Sequence, residues 1–208
     1  MIPQRRLSER TFDPDPIQQF RRWFKAVERA GVPEPHAMTL ATATRAGHTS
    51  ARMVLLKGVD PRGFLFFTNY DSRKGRELGA NPRAALVFYW RELHRQVRVT
   101  GRVVKLAAAE SSAYFATRPP GSRIAAAASR QSAVIASRAA LDAGYAKLTA
   151  KYPHGGVPRP INWGGYCVQP DEIEFWQQGP DRMHDRLRYR RLRSGKTRGD
   201  WVLERLSP

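Results

Sequence analysis

Residues 37–69 read AMTLATATRAGHTSARMVLLKGVDPRGFLFFTN, and the architecture turns on how this stretch folds. AMTLATAT, HTSARMVLLKG and GFLFFTN are short segments rich in β-branched or aromatic residues, the composition that suits a pleated, half-buried surface. Arg45-Ala46-Gly47 and Asp60-Pro61-Arg62-Gly63 separate them with turn chemistry. AALVFYW and LHRQVRVTGRVVKL continue the pattern, set off by Ala80-Asn81-Pro82. The expectation is a meander of antiparallel strands. One short helix interrupts it: in DSRKGRELGANP, Ser72 is the N-cap, and Gly79 and Pro82 provide the stop.

Working outward, Asp15-Pro16 marks a helix start, with Pro in the first turn. Ile17, Phe20, Trp23, Phe24 and Val27 then share one helical face, and Gly31 ends the helix. Residues 1–14 read as a flexible N-terminal arm, and residues 15–208 as one domain. Residues 106–151 are Ala-rich and helical in character, broken at RPPGS (118–122). YPHGGVPRPINWGG is a Pro/Gly loop, after which YCVQP, EIEFWQ, RMHDRLRYRR and DWVLERL return to strands. Strands, then helices, then strands give an α+β fold with an antiparallel β-barrel core and flanking helices.

The 208 residues suffice for one domain with a substantial core. No run approaches the ~18 apolar residues of a membrane span, and MIPQRRLSER lacks the apolar segment of a secretory leader. Cys167 is alone, so it forms no intramolecular disulfide and no cysteine-rich zinc site; a small buried side chain in a reducing cytoplasm is expected. The formal net charge of +18 calls for an anionic partner: a phosphorylated small molecule, nucleic acid or an acidic surface. Residues 182–198 hold eight Lys/Arg against one acid, Asp185. The G-x-G-x-x-G, Walker-type and G-x-S-x-G motifs are missing, and the five histidines show no metal-ligand spacing, so no metal site is expected.

Four constellations carry chemical possibilities. In RMHDR (182–186), strand alternation would put Arg182, His184 and Arg186 on one face, and Met183, Leu187 and Tyr189 on the other. That face suits an anionic ligand and equally a solvated edge. In RMVLLK (52–57), Arg52 and Lys57 bound an apolar strand. In TNYDSRKG (68–75), Arg73 and Lys74 sit in the first turn of a helix, where cations oppose the helix dipole; an anion there would relieve the conflict. In YFATRPPGS (114–122), Tyr114, Arg118 and Ser122 recur every four residues, two hydroxyls and a guanidinium suited to phosphate.

In combination these segments resemble the pyridoxamine (pyridoxine) 5′-phosphate oxidase family. The matching text is RMVLLKG, FFTNYDSRKGRELGANPRAAL, RQVRVTG, YFATRP, SRQS, NWGGY, IEFWQ with RMHDR, and a final W-x-x-x-RLSP, in family order from about residue 15 onward. The resemblance implies an FMN-binding split β-barrel and a homodimer with two sites at the subunit interface. It implies that Arg52, Met53, Val54, Leu55, Leu56 and Lys57 line the FMN. Phe67, Thr68, Arg73, Lys74, Gln96, Gln131, Ser132, Trp176 and Arg186 would complete that pocket. The substrate phosphate would meet Lys57, Tyr114, Arg118 and Ser122. Arg182 and His184 would act catalytically over the pyridine ring, with Met183 in the same substrate-binding stretch. The implied reaction converts pyridoxamine or pyridoxine 5′-phosphate to the aldehyde, with O2 reduced to H2O2. Two departures stand out: no tyrosine precedes Tyr70 to serve the family's N-terminal lid, and AAAAS (125–129) replaces bulkier residues. A phenazine-type flavin oxidase and a basic nucleic-acid-binding protein are the alternatives. No membrane or nucleic-acid partner is expected.

Overall fold

Ala37–Ala43 (β1) and Thr49–Leu55 (β2) form an antiparallel hairpin whose turn needs Gly47 at a φ of 84°. The computed structural model describes residues 6–192 and 201–208. Gly58–Asp60 (β3) and Gly63–Asn69 (β4) make a second hairpin, and Arg83–Trp90 (β5) and Arg95–Lys105 (β6) a third. Trp163–Gln177 (β7), Asp185–Arg191 (β8) and Trp201–Arg205 (β9) complete the described strands. All the pairings are antiparallel, in the order β2-β1-β5-β6-β7-β4-β3, with β8 on β7 and β9 on β8.

This is a curled split barrel, not the simple meander expected over residues 37–105. The helix Arg73–Ala80 (α2) carries the chain from β4 across to β5, so β1 lies beside β5 and β4 pairs with β7. The two strands expected at YCVQP and EIEFWQ are one strand, β7. Pro170 lacks an N–H, but it sits where the register shifts between Thr100 and Gly101, and Asp171 is left unopposed. Gly101 permits that approach: a Cβ there would lie 2.0 Å from the Gln169 carbonyl oxygen. β6 flanks β7 along most of its length, while β4 takes the first part of its other edge and β8 the last. The sheet divides there.

Pro16–Arg29 (α1) starts as its sequence dictates. The Asp15 carboxylate accepts from the Ile17 N–H at 2.8 Å, and Pro16 occupies the first turn. The buried face of α1 drives Phe20 against Phe64 (4.8 Å between ring centroids) and Trp23 against Phe175 (5.1 Å). Such aromatic pairs add about 0.5–1.5 kcal/mol each beyond burial. Ala108–Thr117 (α3), Pro120–Ala128 (α4) and Arg138–Lys151 (α5) follow, with the break between α3 and α4 at the two prolines. Among the described residues, no helix is long and apolar enough to cross a membrane.

Part of the arm expected over 1–14 makes contacts with the domain; residues 1–5 lie outside the described residues. Leu7 is buried, and its N–H donates to the Asp185 carboxylate at 3.0 Å. Arg205 donates to both Glu9 oxygens, to the Leu7 carbonyl and to Asp185. The hydrogen bond from Arg205 is the main reason the Glu9 carboxyl is lowered to about 2. Residues 193–200, which hold the later part of the basic run and the Asp200 of DWVLERL, also lie outside the described residues.

Candidate active site

A cleft of about 710 Å³ opens between β2, β4, the start of α2 and the α3–α4 elbow. It gathers Arg52, Met53, Val54, Leu55 and Lys57 from β2 and its exit, Phe67 and Thr68 from β4, and Lys74 from α2. Tyr114, Arg118 and Ser122 close it from the elbow, and Gln131 from the loop after α4. The elbow explains how residues four apart converge across two prolines: α3 ends at Thr117, and Arg118 adopts an extended conformation before α4 begins.

The electrostatics of this cleft favour an anion. Lys74 is buried, and among the described residues its ammonium donates only to neutral oxygens: Thr68 Oγ1 at 3.2 Å, Gln131 Oε1 at 3.3 Å and Ser72 Oγ at 3.4 Å. Burial, and then the nearby Arg52 charge, lower its pKa. Arg118 lies over the Trp163 ring at 4.7 Å, and its buried Nη1 has no hydrogen-bond partner among the described residues. Burial lowers its pKa too. A buried N–H of a cation is stabilised by an acceptor, so the arrangement suits an anionic one. Phe67, Tyr114 and Trp163 form a ring stack beside it, with Phe67 and Tyr114 centroids 3.9 Å apart at 20°. The set fits a phosphorylated aromatic group. A separate cleft of about 660 Å³ under α1 carries Glu28 and Glu34 beside Arg21, Lys25 and Lys57, so most of its positive charge is offset.

Glu77 is the acid behind this wall. Its side chain is 5% exposed and accepts from Ser50 Oγ at 2.6 Å, Arg73 Nε at 2.9 Å and Thr42 Oγ1. Burial would raise its pKa, but the Ser50 and Thr42 hydroxyls and the Arg73 and Arg52 guanidiniums outweigh it and hold the carboxyl at about 2. The folded pKa lies below the ordinary 4.5, so the unfolded chain takes up the proton first as pH falls. Glu77 therefore stabilises fully above about 4.5, and the contribution fades toward about 2. Thermal denaturation between pH 6 and 3 should show a steeper acid loss for the wild type than for Glu77→Gln; parallel curves would refute the assignment.

A second cluster forms on the face of the sheet defined by Gln96, Trp176 and Arg186, which stand opposite one another across β6, β7 and β8. The Glu174 carboxylate on that face takes Arg186 Nε at 2.8 Å and Arg98 Nη1 at 3.3 Å. His184 packs its ring on Trp176 at 4.8 Å, and its Nδ1 accepts the Gly179 N–H at 3.2 Å. In the neutral ring that leaves the proton on Nε2.

The shared strand face expected for Arg182, His184 and Arg186 is not observed. β8 begins only at Asp185; Pro180–Arg182 form a 3-10 turn, and Asp181 and Arg182 both have positive φ (49° and 61°). Gly179 makes the turn possible, because a Cβ would lie 2.0 Å from the Met183 carbonyl oxygen. Met183, expected to pack inward with Leu187 and Tyr189, is 65% exposed for the same reason. Left-handed backbone at arginine is strained, the kind of feature that collects at functional sites. Leu56 turns into the core, and Arg73 points outward to pair with Glu77. Ser132, at a φ of 69°, follows Gln131 but does not line the cleft.

Sequence reasoning missed roles for Trp163, Glu77 and Glu174. Trp163 lay in the quoted NWGGY, and alternation along EIEFWQ would have put Glu174 on the face of Trp176. Glu77 stands four residues after Arg73, the spacing of a helical ion pair.

Two family models cover most of the chain. The model described as pyridoxamine 5′-phosphate oxidase matches residues 24–151, and the pyridoxine 5′-phosphate oxidase C-terminal dimerisation region matches residues 163–208. The chain belongs to the pyridoxamine 5′-phosphate oxidase family. Similar members of this oxidase family include the pyridoxine/pyridoxamine 5′-phosphate oxidase of Burkholderia ambifaria, 57% identical over 97% of this chain and 93% of that one. The protein of that name from Salinibacter ruber is 56% identical over 93% and 89%. Among solved structures, PhzG from Burkholderia lata 383, in complex with tetrahydrophenazine-1-carboxylic acid, superposes with a TM-score of 0.90 at 36% identity, covering 97% of this chain and 98% of that one. An oxidase-related FMN-binding protein from Nostoc punctiforme shares the fold, with a TM-score of 0.72 at 14% identity over 95% and 100% of the two chains.

Proposed function

We propose that the protein is an FMN-dependent oxidase that converts pyridoxamine 5′-phosphate and pyridoxine 5′-phosphate to pyridoxal 5′-phosphate, with O2 as acceptor and H2O2 as product. The observation that carries this reading is the cleft with two cations, Lys74 and Arg118, that no carboxylate neutralises among the described residues. Two phosphate-bearing ligands account for both. Bound FMN supplies the hydride acceptor and the route to oxygen. The chain's own residues bind and orient. Lys74, Thr68 and Gln131 suit the flavin phosphate, with Arg52 behind them. Lys57, Tyr114, Arg118 and Ser122 suit the substrate phosphate. Anchoring a flat ring at its phosphate lets binding energy orient the reacting carbon.

Arg182 and His184 are the residues we assign to the pyridine ring, and they come from a second protomer. Met53, Thr39, Val87, Arg98, Glu174 and Arg188 follow one another across the sheet on one face, which Arg186 shares two residues away on β8. Thr68 of the cleft stands opposite Gly164, and Arg186 opposite Trp176, twelve residues further along β7, about 40 Å of extended strand. A single protomer therefore does not bring both clusters onto one small molecule. Met53 (62% exposed), Leu55 and Tyr89 (57% exposed) give this face an apolar character. A two-fold dimer on it would set one chain's Arg182–Arg186 against its partner's cleft. The family's C-terminal dimerisation region, residues 163–208, spans β7, β8 and β9 of this sheet. A cytoplasmic setting suits the fully buried Cys167, whose thiol burial pushes up to about 11.

The likeness to PhzG favours a second reading, oxidation of an unphosphorylated tricycle. The basic strand β8 gives little support to nucleic-acid binding, because Arg186, Arg188 and Arg190 are held by Glu174, Glu172 and Glu204. The test compares turnover of pyridoxine 5′-phosphate and of a reduced phenazine carboxylate by the purified yellow protein. H2O2 formation with the phosphate ester, at a kcat/KM at least about tenfold higher, supports the proposal. A colourless protein, or preference for the tricycle, overturns it.

A further inference from the structure

We infer that Glu77 is a positioning residue for the phosphate end of the flavin site. It fixes the Arg52 guanidinium from behind, so that Arg52 and Lys74 face the cleft together. This rests on the proposed FMN reading and goes beyond it, since Glu77 does not line the cleft itself.

The geometry assigns each donor. Glu77 Oε1 takes Arg73 Nε, while Oε2 takes the Ser50 and Thr42 hydroxyls and lies 3.5 Å from Arg52 Nη2. The same two hydroxyls receive Arg52: Nη1 donates to Thr42 Oγ1 at 2.6 Å and to the Leu40 carbonyl at 3.2 Å, and Nη2 donates to Ser50 Oγ. Arg52 is thus held through two hydroxyls that Glu77 itself orients. Each hydroxyl has one proton, and donation to the carboxylate leaves its lone pairs for the guanidinium. β1, β2 and α2 each supply part of the clamp, so it forms only when the hairpin packs on the helix.

Electrostatics alone predict the opposite sign. A carboxylate close to a phosphate site repels the ligand, so removing it should tighten binding. Positioning predicts that removal loosens it. The experiment measures dissociation constants of FMN and of riboflavin, which lacks the phosphate, by flavin fluorescence on apoprotein prepared from the purified enzyme. Glu77→Leu is expected to weaken FMN about tenfold and leave riboflavin within about twofold, the share of one charge-assisted hydrogen bond. Glu77→Gln, which keeps an oxygen acceptor, should restore most of that loss. Ser50→Ala removes one hydroxyl of the clamp from a half-buried position and is expected to weaken FMN about threefold; it decides the matter if Glu77→Leu does not fold. Unchanged or tighter FMN binding in the folded variants, or equal losses for FMN and riboflavin, overturns the inference. Wild type that binds no FMN would instead refute the reading beneath it.

Discussion

Arg118→Ala is expected to raise KM for pyridoxine 5′-phosphate about a hundredfold and to leave kcat within a few-fold. Arg118 Nη1 is buried without an acceptor, and the guanidinium is stacked on Trp163 and close to Phe115. A phosphate there would take charge-assisted hydrogen bonds worth about 1.5–3 kcal/mol each, and two at the lower end give that factor. The phosphate is remote from the carbon that changes, so its contacts are the same in ground and transition states. Their loss therefore falls on KM. Steady-state kinetics on the folded variant check this, with FMN content as control. An unchanged KM would remove Arg118 from the substrate site.

Mixing two variants that are each impaired at low substrate should regenerate activity there. Arg182→Ala is expected to lower kcat as well as kcat/KM, because it removes a group from the reacting ring. If each site joins one chain's Arg118 cleft to its partner's Arg182 turn, a dimer of one Arg118→Ala and one Arg182→Ala chain holds one intact site and one doubly damaged site. Random exchange makes about half of all dimers mixed, so activity should return to about a quarter of wild type. Denaturing and refolding the mixture, then assaying at low substrate, measures it. If both clusters served one site within a chain, no mixture would exceed its parents.

Much of the fold was legible because its signals are local. Asp15-Pro16 and the periodic apolar face fix α1, Ser72 caps α2, and the turn residues bound the hairpins. The strand partners were not legible, since pairing β4 with β7 depends on residues about a hundred positions apart, and no local pattern encodes that. Pro170 was read as a break because its tolerance depends on the bulge opposite it. The cleft residues were recognisable as motifs, whereas no motif singles out Glu77 within its short helix. Its burial comes from Thr42 and Ser50, on a hairpin distant in sequence. Arg182 was misread because alternation assumes extended backbone, and the Gly179-Pro180-Asp181 turn suspends it.

The way the last residues are woven into β8 bears on how the protein should be handled. Arg186 donates to the Ser207 carbonyl at 2.9 Å and receives the Leu206 N–H on its own carbonyl, while Arg205 reaches back to Leu7 and Glu9. An affinity handle fused directly after Pro208, or a clone trimmed at Arg205, would tug on an arginine assigned to the flavin. A preparation that comes off the column pale should first be remade with its tail left bare.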